Sequence, residues 1–154
     1  MTLLRSIFHN LGVVLVALAL AYLCTGADSL LGLHGFSFPF LKPLGLLLLT
    51  IGFLIRLWAT IHFYFHQMRV ISLEPQSTLI TTGPYRYSRN PLYLGGNVFC
   101  FLGAALLFGS TTAVVLTIVH LPFVDLFIRR EEMQLEQKFG AEFLEYKQQT
   151  RRWV

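Results

Sequence analysis

Four apolar runs constrain this chain more than any other feature. Residues 7–24 supply about 18 mostly apolar positions, near the lower limit for a bilayer-spanning helix, and residues 44–65 about 22. Residues 92–108 and 111–128 follow as two shorter runs, parted by a Gly109-Ser110 turn. Of the 154 residues 55% are hydrophobic and 13% charged, against roughly a quarter charged in ordinary soluble domains. A globule this small has too much surface to hide that excess. The predicted fold class is therefore an all-α integral membrane protein. It has about four transmembrane helices and a C-terminal amphipathic helix over residues 129–150, where the sequence turns abruptly polar. Residues 1–154 read as one domain, without repeats or low-complexity segments.

Charge sets the expected orientation. With four spans and both ends in the cytoplasm, ten Lys and Arg residues lie inside: Arg5, three in the loop 67–91 and six in the tail. Lys42 alone lies outside, and Arg56 lies within the second span. The expected location is a bacterial inner membrane, with the functional loop and the tail on its cytoplasmic face. No basic run interleaved with aromatics points to nucleic acid. Arg5 ahead of an apolar run resembles the start of a signal peptide, but Leu23 before Cys24 is too large for lipoprotein-type cleavage. The segment reads as the first span. Cys24 and Cys100 sit in apolar runs as small buried hydrophobes, and no metal cluster is implied.

Residues 83–96, GPYRYSRNPLYLGG, end the longest polar interruption and begin the third span. Asn90-Pro91 forces an extended backbone and then a helix start, with Pro91 in the first turn and Asn90 as its cap. Tyr85, Tyr87 and Tyr93 offer flat faces and hydroxyls suited to a heteroaromatic ring. An interfacial aromatic belt, with arginines reaching toward headgroups, reads equally from this composition. Glu131-Glu132 just past Arg129-Arg130 is poorly placed beside anionic lipid unless something positive needs it. An ordinary solvated helix with Asp125 paired to Arg129 accounts for it too.

Loop and tail together resemble the signature of the isoprenylcysteine carboxyl methyltransferase and phospholipid methyltransferase group. The match runs through Ser77-Thr78-Leu79-Ile80, Gly83-Pro84-Tyr85, Arg89-Asn90-Pro91-Leu92-Tyr93 and Gly95. Glu131-Glu132 and Phe139-Gly140 complete it, and Arg56-Leu57-Trp58-Ala59 is similar to bacterial members. The resemblance implies S-adenosylmethionine (AdoMet) lined by Ser77, Thr78, Leu79, Ile80, Tyr85, Asn90, Pro91, Leu92, Tyr93 and Glu131, with Glu132 and Arg56 as further cofactor candidates. Two departures stand out. Asn90 and Ser77 occupy positions where the resembling enzymes carry His, so neither can act as a proton relay. Phe127 stands where the carboxyl methyltransferases carry a substrate arginine, so Arg129 or Arg130 would take that role, with Arg89 a third arginine at the site.

Methyl transfer from a sulfonium mainly demands alignment and exclusion of water. A carboxylate acceptor is ionised at neutral pH and needs no base, whereas an amine would first have to lose a proton. The leading expectation is methylation of a lipophilic, prenylated carboxylate among membrane lipids. The alternatives are a phospholipid-amine N-methyltransferase and a non-enzymatic subunit that binds headgroups or a partner. Arg56, costly within a span, would hold the cofactor's carboxylate or pair with Asp125. His62 and His66, spaced i,i+4, read as interfacial packing and His120 as a partner of a kink at Pro122. Arg151-Arg152-Trp153 reads as a surface anchor.

Overall fold

The protein is described by a computed structural model over residues 2–66 and 78–154. Five helices carry it: α1 (Thr2–Leu30), α2 (Leu41–Phe65), α3 (Pro91–Phe108), α4 (Thr111–Phe139) and α5 (Ala141–Gln149). The first four are long and apolar enough to cross a membrane, and the described residues contain no strand. Large side chains such as Leu15, Leu23, Leu46, Leu54, Ile118 and Phe123 stand exposed on the outer faces, where lipid replaces water as their solvent.

Association of apolar helices in lipid depends on close packing more than on hydrophobicity. The α2–α3 contact shows how this sequence achieves it. A Cβ added to Gly45 would lie 2.7 Å from the Gly103 carbonyl oxygen, and one added to Gly52 would lie 2.5 Å from that of Gly95. Only glycine lets these backbones touch. Around this crossing Ala17, Ala21, Leu49, Cys100, Ala104, Ala105 and Ala113 form one small-residue core. A second core, Ala59, Phe63, Ile80, Tyr85, Phe143 and Tyr146, joins α2 to the loop and the tail.

The helices outrun the expected spans furthest at two C-terminal ends. α1 continues to Leu30, six residues past the apolar run that ends at residue 24. Its polar side chains bond within the helix: Thr25 donates to the Tyr22 carbonyl at 2.7 Å and Ser29 to that of Thr25 at 3.1 Å. Gly32, at φ 64°, supplies the left-handed residue that ends it, with Leu33 N–H donating back to the Asp28 carbonyl at 2.8 Å. Asp28 itself is buried and accepts from Ser110 Oγ at 2.7 Å and Thr112 N–H at 2.8 Å. It therefore fastens the end of α1 to the start of α4, where helix N–H groups favour a carboxylate.

The other departure is at residue 128. α4 passes through Pro122 and continues without a break to Phe139, so the charged segment is its extension and not a new helix. The onset of charge marks a change of solvent, and Arg, Glu, Met, Gln, Leu and Lys are all good helix formers. The break comes at Gly140, φ 52° and ψ −121°, after which α5 turns back onto the loop.

Candidate active site

The start of α3 organises the site. Gly83–Arg86 forms a single 3-10 turn, Pro91 opens the helix, and Leu94–Cys100 winds as π-helix. Such π-helical turns recur at functional sites. Tyr93 donates its hydroxyl to Glu131 Oε1 at 2.9 Å, joining the motif to α4. Tyr146 on α5 donates to the Tyr85 carbonyl at 2.7 Å. The Tyr85 ring is buried, 5.6 Å from that of Phe63. Its hydroxyl has no hydrogen-bond partner among the described residues. Burial, Tyr146 and Glu131 push the phenol well above its ordinary pKa, against the pull of Arg56. Tyr85 is thus a neutral donor held in place without an acceptor.

Glu131 and Glu132 are divided in role. Glu131 is exposed and meets Tyr93, whereas Glu132 is 5% exposed and clamped between two arginines. Arg89 Nη2 lies 2.9 Å from Glu132 Oε1 and Arg152 Nη2 lies 2.8 Å from Oε2. Arg89 also donates to the carbonyls of Lys147, at 3.2 Å, and Thr150. Arg152 reaches Asp125 at 3.2 Å. The last residues of the chain are sewn to the loop as well: Arg89 N–H donates to the Arg151 carbonyl at 3.0 Å, and Ser88 and Asn90 side chains to that of Arg152, each at 3.2 Å.

Several sequence expectations change accordingly. Arg89 is charge-paired with Glu132 and donates to two carbonyls of the tail, so in this structure it ties the loop to α4 and the end of the chain. Arg152, expected as a surface anchor, is half of the clamp on Glu132. Asn90 makes no side-chain cap on α3 because its amide is directed at the tail. Arg129 is exposed and bonded to Asp125 at 2.7 Å, and Arg130 is exposed beside it. Thr78 is exposed, Leu79 and Ile80 pack into the Tyr85 core, and Pro91 is buried. Ser77 lies outside the described residues.

Arg56 does not meet Asp125. Its Nε donates to Asn10 Oδ1 at 3.0 Å and its Nη1 to the Leu92 carbonyl at 2.8 Å, while Nη2 stands 3.5 Å from His9 Nε2. Asn10 donates in turn to Thr60 Oγ1 at 2.9 Å and to the Ser6 carbonyl at 2.8 Å. Arg56 is 8% exposed. No carboxylate among the described residues lies within 4 Å of its guanidinium.

A family model described as phospholipid methyltransferase matches residues 41–142, the stretch that supplies Arg56, the α3 motif and both glutamates. The chain belongs to the phospholipid methyltransferase family. Among curated relatives, it is 34% identical over 114 residues to "Probable protein-S-isoprenylcysteine O-methyltransferase" of Oryza sativa subsp. indica, covering 72% of this chain and 59% of that protein. It is 32% identical over 105 residues to "Protein-S-isoprenylcysteine O-methyltransferase A" of Arabidopsis thaliana, covering 66% and 53%. It is also 32% identical over 147 residues to "Cobalt-zinc-cadmium resistance protein CzcN" of Cupriavidus metallidurans, covering 92% and 62%. The chain thus spans less than two thirds of the length of these relatives. No solved structure matches it.

In this phospholipid methyltransferase family member, sequence reasoning passed over His9, Asn10 and the clamping role of Arg152. Asn10 had a visible signal, a carboxamide four residues after Ser6 at the edge of an apolar run. Arg152 had only the surplus of acid at Glu132 to announce it. His62 and His66 each bond the carbonyl four residues back, at 3.0 Å to Trp58 and 2.9 Å to His62. His120 packs against the Phe101 ring at 5.7 Å. Among the described residues no group of three His, Cys, Asp or Glu is placed to hold a metal ion.

Proposed function

We propose that the chain is an AdoMet-dependent methyltransferase of the membrane, acting on a lipophilic carboxylate of isoprenylcysteine type. Its site and both termini face the cytoplasm of a bacterial inner membrane. The observation that carries the cofactor is the buried Tyr85 hydroxyl. A buried donor without an acceptor is costly, and it fits a pocket that receives a polar ligand. The residues around it suit AdoMet: Tyr85 and Tyr93 provide ring faces and hydroxyls, Glu131 an exposed carboxylate for ribose hydroxyls, and Leu79, Ile80 and Leu92 an apolar wall. The chemistry AdoMet supplies when bound is an electrophilic methyl group, taken by an acceptor oxygen as the S–CH3 bond breaks.

What the chain contributes is alignment and dryness. Tyr85 holds its proton at neutral pH and orients the ligand as a donor. Glu131, fixed by Tyr93, presents an acceptor. The Phe63–Tyr85–Phe143–Tyr146 core excludes water behind them. An amine acceptor would approach Arg56, a buried cation without a carboxylate partner among the described residues, and would also have to shed a proton. A carboxylate incurs neither cost. The names of the plant relatives support the isoprenylcysteine choice, and the charge count supports the orientation.

The test is calorimetric titration of AdoMet and its demethylated product into detergent-purified protein, with Tyr85→Phe in parallel. Removing a buried unpaired hydroxyl is expected to leave the ligand-free protein as stable or about 1 kcal/mol more stable. AdoMet affinity should fall about tenfold if the hydroxyl bonds the cofactor. Failure of the wild-type protein to bind AdoMet would leave the headgroup- or partner-binding subunit as the better reading.

A further inference from the structure

A groove of about 590 Å³ lies between α1 and α3, with Arg56 in its lining and the exposed Phe8 and Val16 at its outer edge. Its walls are Gly12, Val13 and Val16 of α1 and Phe101 of α3. Its polar residues are His9, Arg56 and Asn97. The volume falls in the range of small-molecule clefts, roughly 300–1,000 Å³. From His9 to Val16 the α1 wall runs about 10 Å at 1.5 Å per residue. Apart from Phe8 at its rim, the polar residues His9 and Asn97 precede the apolar Val13, Val16 and Phe101 along α1 and α3, both of which start at the end bearing the loop. That gradient suits an amphiphile with its head at Arg56 and its chain in the groove.

We infer that this groove binds the acceptor, with Arg56 as the cation that recognises its carboxylate. The inference rests on the methyltransferase reading above and adds what that reading leaves open: where the acceptor lies and which charge selects it. A buried arginine in a span is expensive unless neutralised, and the described carboxylates do not neutralise it. Asn10, the Leu92 carbonyl and His9 hold the guanidinium in place and leave its positive charge to be met by a ligand. The geometry also brings head and cofactor motif together. Arg56 bonds the Leu92 carbonyl, so a carboxylate at Arg56 stands against the backbone of Asn90–Tyr93. The absence of a side chain at Gly96 makes this possible, since a Cβ there would fall 2.5 Å from Arg56 Nη1. The occupant is a single-chain isoprenoid acid and not a lipid phosphate, whose two chains exceed a groove with one apolar wall on each side.

The experiment uses photolabelling without AdoMet, so that it does not depend on catalysis. The probe is N-acetylcysteine bearing a farnesyl-type thioether with a terminal diazirine, alongside its primary amide. In detergent-purified full-length protein the acid should label the Val13, Val16 and Phe101 region. The amide should label about tenfold less, the loss expected for a charge-assisted contact. Gly12→Leu fills the groove at a position where an added Cβ meets nothing within 4 Å. It should leave the melting temperature intact and cut acid labelling about tenfold. Arg56→Gln, if it folds, should label equally with acid and amide. Equal labelling by the two probes in the wild type, undiminished labelling in Gly12→Leu, or equal competition by phosphatidylglycerol would each overturn the inference. The two readings separate cleanly. Groove labelling by a protein that binds no AdoMet overturns the cofactor alone, and AdoMet binding with labelling elsewhere overturns the groove alone.

Discussion

Two adjacent glutamates differ here by a single helix step, and that step assigns them to different tasks. Glu131 faces out to Tyr93, whereas Glu132 faces in to Arg89 and Arg152. Removing the charge from a buried carboxylate that serves two guanidinium groups leaves both undercompensated. Glu132→Gln is therefore expected to destabilise the protein by on the order of 3 kcal/mol, read as a lower melting temperature in detergent. Glu131→Gln should melt within a degree or two of wild type and show its effect in AdoMet titration instead, weakened about tenfold. If both variants melt normally and bind normally, neither role stands. The spacing of the pair was legible in the sequence, but its division was not. The partner that fixes Glu132 is twenty residues away, at the end of the chain, and nothing local distinguishes Arg152 from a surface anchor. The partners of Arg89 are equally distant: one sequence shows a basic residue in a loop, but not the carbonyls of Lys147 and Thr150 that it meets.

Among the helices, the sequence shows all four apolar spans and the ends of α2 and α3 at Phe65 and Phe108, but not where α1 and α4 stop. Hydropathy reports solvent, whereas helices end where backbone donors and acceptors find other partners. Hence α4 crosses residue 128 unbroken and stops at Gly140, and α1 runs on to the Gly32 turn. The contact that positions the site lies between α2 and α3, where Gly52 meets Gly95. A methyl group on Gly52 would sit 2.5 Å from the Gly95 oxygen and 2.8 Å from Cys100 Sγ. Gly52→Ala must push the helices apart, at a cost of about 1–3 kcal/mol. Arg56 is one turn further along α2, so the same displacement should loosen its bond to the Leu92 carbonyl and weaken acid-probe labelling. Gly26→Ala provides the contrast. Its added Cβ meets nothing within 4 Å, and it should gain up to about 1 kcal/mol from helix propensity. Equal melting temperatures for the two variants would mean that the glycine crossing does not hold the pair together.

At the scale of the whole molecule, the proposed cofactor site and the proposed acceptor groove would give two routes to one place. The Tyr85–Glu131 cluster lies where the α3 start, the extension of α4 and α5 meet beyond the apolar spans, so a water-soluble cofactor can reach it from the aqueous side. The groove proposed for the acceptor lies between α1 and α3 with the exposed Phe8 and Val16 at its edge, so a lipid-dissolved acceptor would not have to leave the bilayer. The arrangement works only if the loop, the tail and the start of α1 share one face; the proposal that this face is cytoplasmic rests on the sequence count that assigns ten of the twelve Lys and Arg residues to it. Single cysteines test this directly. Ser37→Cys lies exposed in the segment joining α1 to α2, and Gln148→Cys lies exposed on α5. In intact bacterial cells a membrane-impermeant maleimide should label Ser37→Cys, and should label Gln148→Cys only after the membrane is opened. The reverse pattern would invert the protein and remove AdoMet from its supply. Labelling of both from one side would break the four-span count itself, and with it the separation of routes on which the catalytic reading depends.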